Sequence, residues 1–238
     1  MLDYDKEADG YDVTRGGEPR AAAASAAVLA LLPEDARSLL DLACGTGIVT
    51  RRLAAGRPGL SVTGADAAHG MTRRAASRLP GAVVRADCRR LPFPGGSFDA
   101  VSAVWLLHLL DDAGPVVAEA ARVLRPGGVF VTTVDKDAAH LVGSDIDALA
   151  APYRVEHPTD GSERVTAYAA EHGLTPSGTA LFRGHGQGRT PRRVAHHIRT
   201  GRLYAAGGPQ LADRMEMLPG PDVPRREPEF TLRAFRKG

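Results

Sequence analysis

Three acidic residues stand near the ends of short apolar runs, where they are well placed to hold a ligand. Asp41 lies in the first run, Asp66 follows the second and Asp87 follows the third. Because the carboxyl ends of parallel strands meet at one edge of a sheet, the three side chains would face one crevice. A carboxylate there can accept hydrogen bonds from both hydroxyls of a ribose, and its neighbour can accept one from the amine of an adenine.

A turn with two glycines, residues 43–47, follows the first apolar run and leads into a predicted helix at 48–55. Glycine lets a backbone approach a ligand closely, and the start of a helix offers free N–H groups. A dinucleotide-binding fingerprint would need glycine where Thr50 stands, and a phosphate-binding loop would need a Gly-Lys-Ser/Thr run that does not follow. Asp41 would repel a phosphate, so the pattern favours an adenosyl group without phosphates. A tight turn in an unrelated α/β protein is the alternative from this segment alone.

Several segments together resemble a class I S-adenosylmethionine-dependent methyltransferase of the small-molecule type. DLACGTG at 41–47 is similar to the first motif of that family, Asp66 matches its ribose acid, and Asp87-Cys88 matches its adenine-edge pair. The other similar segments are LPFP at 91–94 and SFDAV at 97–101, leading into the fourth strand, and RVLRPGG at 122–128, before the fifth.

This resemblance, over about residues 36–135, implies S-adenosyl-L-methionine as the cofactor and S-adenosyl-L-homocysteine as the product. It implies that Asp41 orients the turn and, through water, the methionine ammonium, while Asp66 holds the ribose and Asp87 the adenine. A carbonyl at the end of the fourth strand would face the ammonium, and Met71 would pack against the adenine unless it belongs to the core. The implied cofactor contacts are Tyr11, Arg15, Asp41, Ala43, Cys44, Gly45, Gly47, Asp66, Ala67, Met71, Asp87, Cys88, Ala103 and Val104.

The sequence departs from the family pattern at two places. Ala43 stands where glycine is common, although its side chain is small enough for the same turn. AAHG at 67–70 replaces a serine and a helix-favouring run. The acidic arm, residues 1–20, either folds over the cofactor, with Arg15 or Arg20 at the methionine carboxylate, or lies in solvent.

Methyl transfer from a sulfonium is an in-line displacement that mainly needs alignment of the reactants and exclusion of water. His108, after the predicted fourth strand, is the candidate catalytic base, with a structural role as the alternative. His140 is more typical of a surface position, and at most one of the adjacent pair His196-His197 can face a pocket. Ten basic against five acidic residues in 191–238 favour an acidic acceptor or, in an arginine-rich chain, a solvated face.

Apolar runs that alternate with helical segments predict an α/β, doubly wound, mostly parallel sheet. The resemblance implies seven strands, the last antiparallel. The predicted strands are 38–42, 60–65, 82–86, 98–104, 129–134, 178–185 and 229–236, and the predicted helices are 21–32, 48–55, 70–78, 113–124, 162–172, 191–202 and 210–218. We expect a single domain made of an arm and helix (1–35), a cofactor-binding half (36–135) and an acceptor-site half (136–238) with a helical insertion at about 189–220.

Length and composition fit one globular domain, with 238 residues, 43% hydrophobic content and a net charge of +2. The near balance of charge disfavours a nucleic-acid partner, as does the lack of the Asn/Asp-Pro-Pro-Tyr/Phe and Pro-Cys runs of nucleic-acid methyltransferases. Two cysteines are too few for a structural zinc site. Metal-dependent, catechol-type methylation would need Asp111, Asp112, Asp135 and Asp137 to cluster, and no metal is expected.

The first twenty residues do not fit a signal peptide, and the apolar runs are shorter than a membrane span. The sequence therefore predicts a cytoplasmic monomer or homodimer that methylates a small-molecule acceptor, in bacterial secondary metabolism, with no membrane partner. A non-catalytic protein that binds the cofactor or a partner through the same fold is the alternative.

Overall fold

The computed structural model describes residues 3–154 and 157–238. The strands in those residues are β1 (Ser38–Leu42), β2 (Ser61–Asp66), β3 (Val83–Arg85), β4 (Phe98–Ala103), β5 (Leu124–Val134), β6 (Leu174–Arg183) and β7 (Glu229–Lys237). The α-helices are α1 (Tyr4–Glu7), α2 (Tyr11–Thr14), α3 (Gly17–Leu31), α4 (Ile48–Gly56), α5 (His69–Arg78), α6 (Gly114–Val123), α7 (Asp145–Ala150), α8 (Ser162–Glu171), α9 (Pro191–Arg199) and α10 (Gly208–Glu216).

The strands form one sheet in the order β3-β2-β1-β4-β5-β7-β6. Strands β1 to β5 pair in parallel, and β7 runs antiparallel to both β5 and β6. The predicted seven-stranded, doubly wound fold with an antiparallel last strand is confirmed. The strand order reverses between β1 and β4, and the carboxyl ends of strands at such a point form the crevice in which α/β proteins bind ligands.

The period of two along the strands divides the core between the two faces of the sheet. Leu39 of β1 packs in an apolar cluster with residues of α3 and α4. Leu40 and Leu42 of the same strand pack on the other face, with residues of α6 and α8. Both faces of the sheet are therefore covered, as the near-continuous apolar strands predict.

Besides shifts of a few residues in the bounds of β6 and α9, two differences from the sequence prediction affect whole segments. Residues 125–128, expected as a turn before β5, lie inside that strand, where the pairing shifts from Phe98–Leu124 to Ala100–Val129. The second difference is α7, which the sequence analysis did not predict. Its start is a capping box, in which the Ser144 hydroxyl accepts the Asp147 N–H and the Asp147 carboxylate accepts the Ser144 N–H.

A small helical layer lies beyond the sheet. Ile146 of α7, Ile198 of α9 and Met215 of α10 share an apolar cluster separate from the two sheet cores. This cluster fixes α9, one face of which lines the cavity described below. None of the helices in the described part of the chain has the length and apolar character that a bilayer span requires.

Candidate active site

The turn between β1 and α4 has a left-handed backbone at three positions. Ala43, Gly45 and Gly47 have φ angles of 50°, 56° and 75°. A Cβ on Gly47 would lie 3.0 Å from the Cα of Ala75, so glycine lets α4 pack closely against α5. A Cβ on Gly45 would meet no heavy atom of the described chain within 4 Å beyond its sequence neighbours, so that side of the turn is open.

Ala43 should carry the strain of an L-residue in the left-handed region, which costs about 1–2 kcal/mol. We expect Ala43→Gly to raise the free energy of unfolding by about 1 kcal/mol in urea denaturation. The same substitution at Ala55, exposed on α4, should lower it by about 1 kcal/mol because glycine is a poor helix former. Equal losses in both variants would show that Ala43 is unstrained.

Asp41 lies beneath the turn and is only 3% exposed. Its Oδ2 accepts a hydrogen bond from Thr50 Oγ1 at 2.6 Å, and its Oδ1 accepts one from Ser102 Oγ at 2.7 Å. Burial raises the pKa of Asp41 to about 6, against the opposing effect of the two hydroxyls. Thr50 stands where a dinucleotide fingerprint would need glycine. Its role here is structural, because its hydrogen bond to Asp41 links α4 to β1.

The raised pKa of Asp41 predicts a pH-dependent stability. Because its folded-state pKa of about 6 exceeds the ordinary 3.8, the folded state holds the proton more tightly, and stability falls as pH rises through 6. At about 1.4 kcal/mol per unit, Asp41→Asn should gain about 2.5 kcal/mol relative to wild type between pH 4 and pH 7.5. Denaturation curves at both pH values measure this gain.

Asp99 provides the matched control for Asp41. Although burial opposes it, the N–H groups of Arg37 and Ser38 hold the pKa of Asp99 below its ordinary value. Asp99→Asn should therefore lose stability relative to wild type as pH rises, the reverse of Asp41→Asn. The same sign in both variants would contradict the assignment for Asp41.

Asp66 joins the turn to the loop before α5. Its Oδ2 accepts the N–H of Gly45 at 2.9 Å, and its Oδ1 accepts the N–H of Ala68 at 2.9 Å. Burial raises the pKa of Asp66, against the opposing effect of these backbone donors. Each oxygen of an ionised carboxylate has a second acceptor site, so Asp66 can still accept two hydroxyls. That capacity is what a ribose diol requires.

The two residues predicted at the adenine edge lie in different surroundings. The Asp87 carboxylate is exposed and pairs with Arg89, whose Nη2 lies 2.7 Å from Oδ2. Cys88 is buried in the apolar cluster of the α6 face. Burial raises the pKa of Cys88 to about 12 and also raises that of Cys44, so both thiols are protonated packing groups. An adenine contact by Asp87 stays a prediction.

Other implied contacts are placed as follows. Met71 is 1% exposed, the degree of burial that its core interpretation predicts. The Ala103 carbonyl at the end of β4 accepts a hydrogen bond from Thr132 Oγ1 at 2.9 Å, and Val104 follows at 9% exposure. The Ala67 carbonyl accepts a hydrogen bond from Arg85 Nε at 3.2 Å. Cofactor contacts by these residues remain predictions.

The acidic arm packs against the turn and α5 rather than lying in solvent. Asp12 Oδ1 accepts a hydrogen bond from Thr46 Oγ1 of the turn at 2.6 Å, and Asp12 Oδ2 pairs with Arg78 Nη2 of α5 at 2.6 Å. Asp5 Oδ1 accepts the N–H of Gly70 at 2.6 Å, at the first turn of α5. A carboxylate at a helix start is favoured by the helix dipole, so Asp5 acts as a cap from a distant segment.

Gly70 explains the departure at residues 67–70. A Cβ there would lie 2.8 Å from the carbonyl oxygen of Asp5 and 3.1 Å from its Cα, so the arm could not approach α5. We expect Gly70→Ala to displace the arm and speed its tryptic cleavage at Lys6 at least about tenfold, since cleavage of a locally opened segment follows the population of the open form. Gly10→Ala, where a Cβ meets nothing within 4 Å in the described chain, should leave that rate unchanged. Equal rates in both variants would contradict this role of Gly70.

A cavity of about 300 Å³ opens over the ends of β4, β5 and β6, between the arm and α9. We call it the basic pocket, because among the described residues that line it one carboxylate, Asp137, faces six cations. These cations are Arg15, Arg20, Lys136, Arg189, Arg193 and Arg202. Tyr11 and the catalytic candidate His108 line the same cavity, so these two and Arg15 are brought together as predicted residues of one site.

Asp137 offsets only part of this charge. Its Oδ1 lies 2.9 Å from Lys136 Nζ and 3.5 Å from Arg189 Nη2. Tyr204 holds Arg189 from the other side, accepting a hydrogen bond from its Nη1 at 2.9 Å. The solvated-face interpretation of the C-terminal bases is right for Arg192, which pairs with Asp222 on the surface. Arg193 is exposed as well, but it lines the pocket.

Three neutral histidines line the basic pocket. Burial, reinforced by the charge of Lys136, lowers the pKa of His108, and burial with the charge of Arg189 does the same for His140. Burial lowers the pKa of His197 to about 4. A neutral imidazole has a free lone pair for a proton, but its lowered pKa makes it a weaker base than an ordinary histidine. The predicted surface position of His140 is wrong, because it is 8% exposed and packs edge-on against Phe230.

Of the pair His196-His197, only His197 lines the basic pocket. The side chain of His196 lies on the exposed surface of α9. Adjacent residues on a helix point about 100° apart, which is the reason that one of them at most was expected to face a pocket. This expectation is confirmed.

Trp105 and Asp135 are further residues in the left-handed region, with φ angles of 57° and 50°. Trp105 lies two positions after the end of β4, and Asp135 directly follows β5. Such strain concentrates at functional sites. The backbone N–H of Trp105 donates a hydrogen bond to Thr133 Oγ1 at 3.0 Å. The Arg20 guanidinium lies 4.2 Å from the centroid of the Trp105 ring. Trp105 was not among the predicted site residues, although its position directly after a predicted strand was the available signal.

The acids considered for a metal site have other partners. Asp112 Oδ1 accepts the N–H of Gly114, and Asp135 Oδ1 accepts the N–H of Ser162. Within residues 3–154 and 157–238, His, Cys, Asp and Glu side chains form no group of three that could hold a metal ion.

Comparison with known proteins places this site in a family context. Residues 40–132 match the model of a methyltransferase domain. A ubiquinone/menaquinone biosynthesis C-methyltransferase of Desulfotalea psychrophila is 40% identical over 96 residues, 39% of this chain and 39% of that protein. The 27-O-demethylrifamycin SV methyltransferase of Amycolatopsis mediterranei is 40% identical over 97 residues, 38% of this chain and 35% of that protein. The chain thus spans well under half the length of these two relatives.

Solved structures share the fold over nearly the whole chain. The cyclase SpnF superposes with a TM-score of 0.63 at 20% identity, covering 98% of this chain and 93% of that one. The geranyl diphosphate C-methyltransferase of Streptomyces coelicolor gives 0.55 at 16% identity, covering 91% and 79%. At such identities the likeness is one of fold.

Proposed function

The chain carries a class I S-adenosylmethionine-dependent methyltransferase domain, and from this premise we propose that it transfers a methyl group from S-adenosyl-L-methionine to a small-molecule acceptor. The observation that carries the proposal is the position of Asp66. Its carboxylate lies at the carboxyl end of β2, holds the glycine turn through Gly45 and keeps two acceptor sites for a ribose.

The residues around the turn fit an adenosyl cofactor without phosphates. Asp41 and Asp66 place two carboxylates beside the turn, which would repel a phosphate. The open side of Gly45 leaves room against the backbone. Arg15, in the arm that closes over the turn, and Arg20, in α3, are the cations available to the methionine carboxylate.

When bound, S-adenosyl-L-methionine supplies a methyl group that is already activated by a sulfonium, so transfer is an in-line displacement. The chain must align the acceptor and exclude water. The arm, anchored by Asp12 to Thr46 and Arg78, covers the turn. His108, in the pocket wall, is the candidate base for the proton that a hydroxyl or amine acceptor loses when it is methylated.

The relatives support a small-molecule acceptor, since the names of the two curated ones refer to a quinone pathway and a rifamycin. A cavity of about 300 Å³ admits a small molecule. Action in bacterial secondary metabolism, as a cytoplasmic monomer or homodimer without a nucleic-acid partner, completes the proposal.

Release of S-adenosyl-L-homocysteine tests the function. The full chain, with labelled S-adenosyl-L-methionine and a set of phenols and amines in acidic and neutral forms, should release this product above the rate without acceptor. Tight binding of S-adenosyl-L-homocysteine with no acceptor-dependent release would instead support the non-catalytic alternative. SpnF, a cyclase with this fold, shows why turnover rather than fold must decide.

A further inference from the structure

The basic pocket carries more positive charge than the cofactor can neutralise. Arg15 belongs to the arm, and Arg20 lies in the first turn of α3, with its guanidinium over the Trp105 ring. Lys136, Arg189 and Arg193 enter from the loops after β5 and β6 and from α9, on the acceptor side. One methionine carboxylate can pair with a cation of the first group, and Asp137 is shared within the second.

Unsatisfied polar atoms in the pocket wall are all hydrogen-bond donors. The buried Arg20 Nε, Trp105 Nε1 and Gln187 Nε2 have no hydrogen-bond partner among the described residues. All three residues line the basic pocket, and Arg20 is only 5% exposed. A buried donor without an acceptor is unfavourable because its lost hydration is not replaced, so such a group calls for a ligand that accepts hydrogen bonds.

The histidines that face the pocket respond to its positive charge. His108, His140 and His197 have lowered pKa values, in each case through burial and then the charge of a neighbouring Lys or Arg. The cations that act most strongly on these three histidines are Lys136, Arg189 and Arg193, so their charges meet in the same pocket. The surrounding charge comes from side chains that stay cationic when the imidazoles are neutral.

We propose that the methyl acceptor is an anionic small molecule, whose carboxylate or phosphate group binds between Lys136, Arg189 and Arg193. This inference rests on the proposed function and specifies its substrate class. The anionic group holds the acceptor against the wall formed by α9 and the loops after β5 and β6. Its nucleophilic atom is thereby turned towards His108 and the arm.

Matched probes test the inference without the natural acceptor. Trp105 is the single tryptophan of the chain and lines the pocket, so its fluorescence reports binding. With S-adenosyl-L-homocysteine saturating, benzoate should bind at least about tenfold more tightly than benzamide, which has the same ring without the charge. Phenyl phosphate, as a third probe, distinguishes a preference for phosphate from a preference for carboxylate.

Variants of single cations show which side chains create the preference for benzoate over benzamide. Arg193→Gln and Lys136→Gln should each reduce the benzoate-over-benzamide ratio at least about fivefold. Arg192→Gln, which removes an equal charge from the same helix but outside the pocket, should leave the ratio unchanged. Thermal unfolding of each variant verifies that it is folded.

Two results would overturn the inference: equal affinity of wild type for the two probes, or equal effects of Arg193→Gln and Arg192→Gln. A separate titration with S-adenosyl-L-homocysteine distinguishes this failure from failure of the proposed function. If the chain binds S-adenosyl-L-homocysteine but does not prefer the anion, the methyltransferase function stands and the anionic acceptor is rejected. If the chain prefers the anion but does not bind S-adenosyl-L-homocysteine, the anion site stands and the methyltransferase function is rejected.

Discussion

Replacing Asp66 by alanine is expected to weaken binding of S-adenosyl-L-homocysteine about 100-fold or more. The reason is the loss of two hydrogen bonds from ribose hydroxyls to a carboxylate, each worth about 1.5–3 kcal/mol. The variant also leaves the N–H groups of Gly45 and Ala68 without their acceptor, so part of the loss would come from a relaxed turn. Calorimetric titration of the full chain measures the affinity.

Asp99→Ala is the control that separates these two causes. The Asp99 carboxylate also accepts two backbone N–H groups, those of Arg37 and Ser38. It lies at the start of β4, at the edge of the sheet opposite to Asp66. Asp99→Ala should therefore lose comparable stability and keep its affinity. If Asp66→Ala keeps its affinity as well, the ribose assignment is wrong.

Replacing His108 by glutamine is expected to lower kcat about 100-fold or more for an acceptor that must lose a proton, since general-base catalysis typically contributes 10²–10⁴-fold. KM should change little, because glutamine retains the size and polarity of the side chain. The rate of S-adenosyl-L-homocysteine release, measured at saturating acceptor, gives the effect on kcat.

His196→Gln is the control for this variant. His196 lies on the exposed side of α9, next to His197, and does not line the pocket in the described structure. It should keep full turnover. Full turnover in His108→Gln too would leave His108 as a wall of the pocket, the structural alternative that its sequence position allowed.

The cofactor half was predictable because local signals fix it. Glycines at 45 and 47 permit the left-handed backbone that the turn adopts, and alternating apolar runs give a sheet with both faces covered. Asp41 and Asp66 fall at strand ends in the sequence and therefore at one sheet edge in space. Within this half, residues 125–128 differ from the prediction, since they lie inside β5 and not in a turn before it. In the acceptor-site half, α7 was not predicted, although the Ser144–Asp147 capping box was present as a signal.

The basic pocket could not be predicted in the same way. Its cations come from the arm, α3, two loops and α9, so their meeting depends on how α9 packs against α7 and α10. In a chain with 30 basic residues, no local pattern distinguishes Arg193 in the pocket from Arg192 on the surface. Likewise, the cap that Asp5 provides for α5 joins residues 65 positions apart.

A crystal structure of the chain with bound S-adenosyl-L-homocysteine is the decisive measurement, because the proposed reaction requires the cofactor site to open into the basic pocket. We expect both ribose hydroxyls on Asp66 and the sulfur facing the cavity that His108 and Arg193 line. A ribose held elsewhere, or a sulfur that faces away from that cavity, would contradict it.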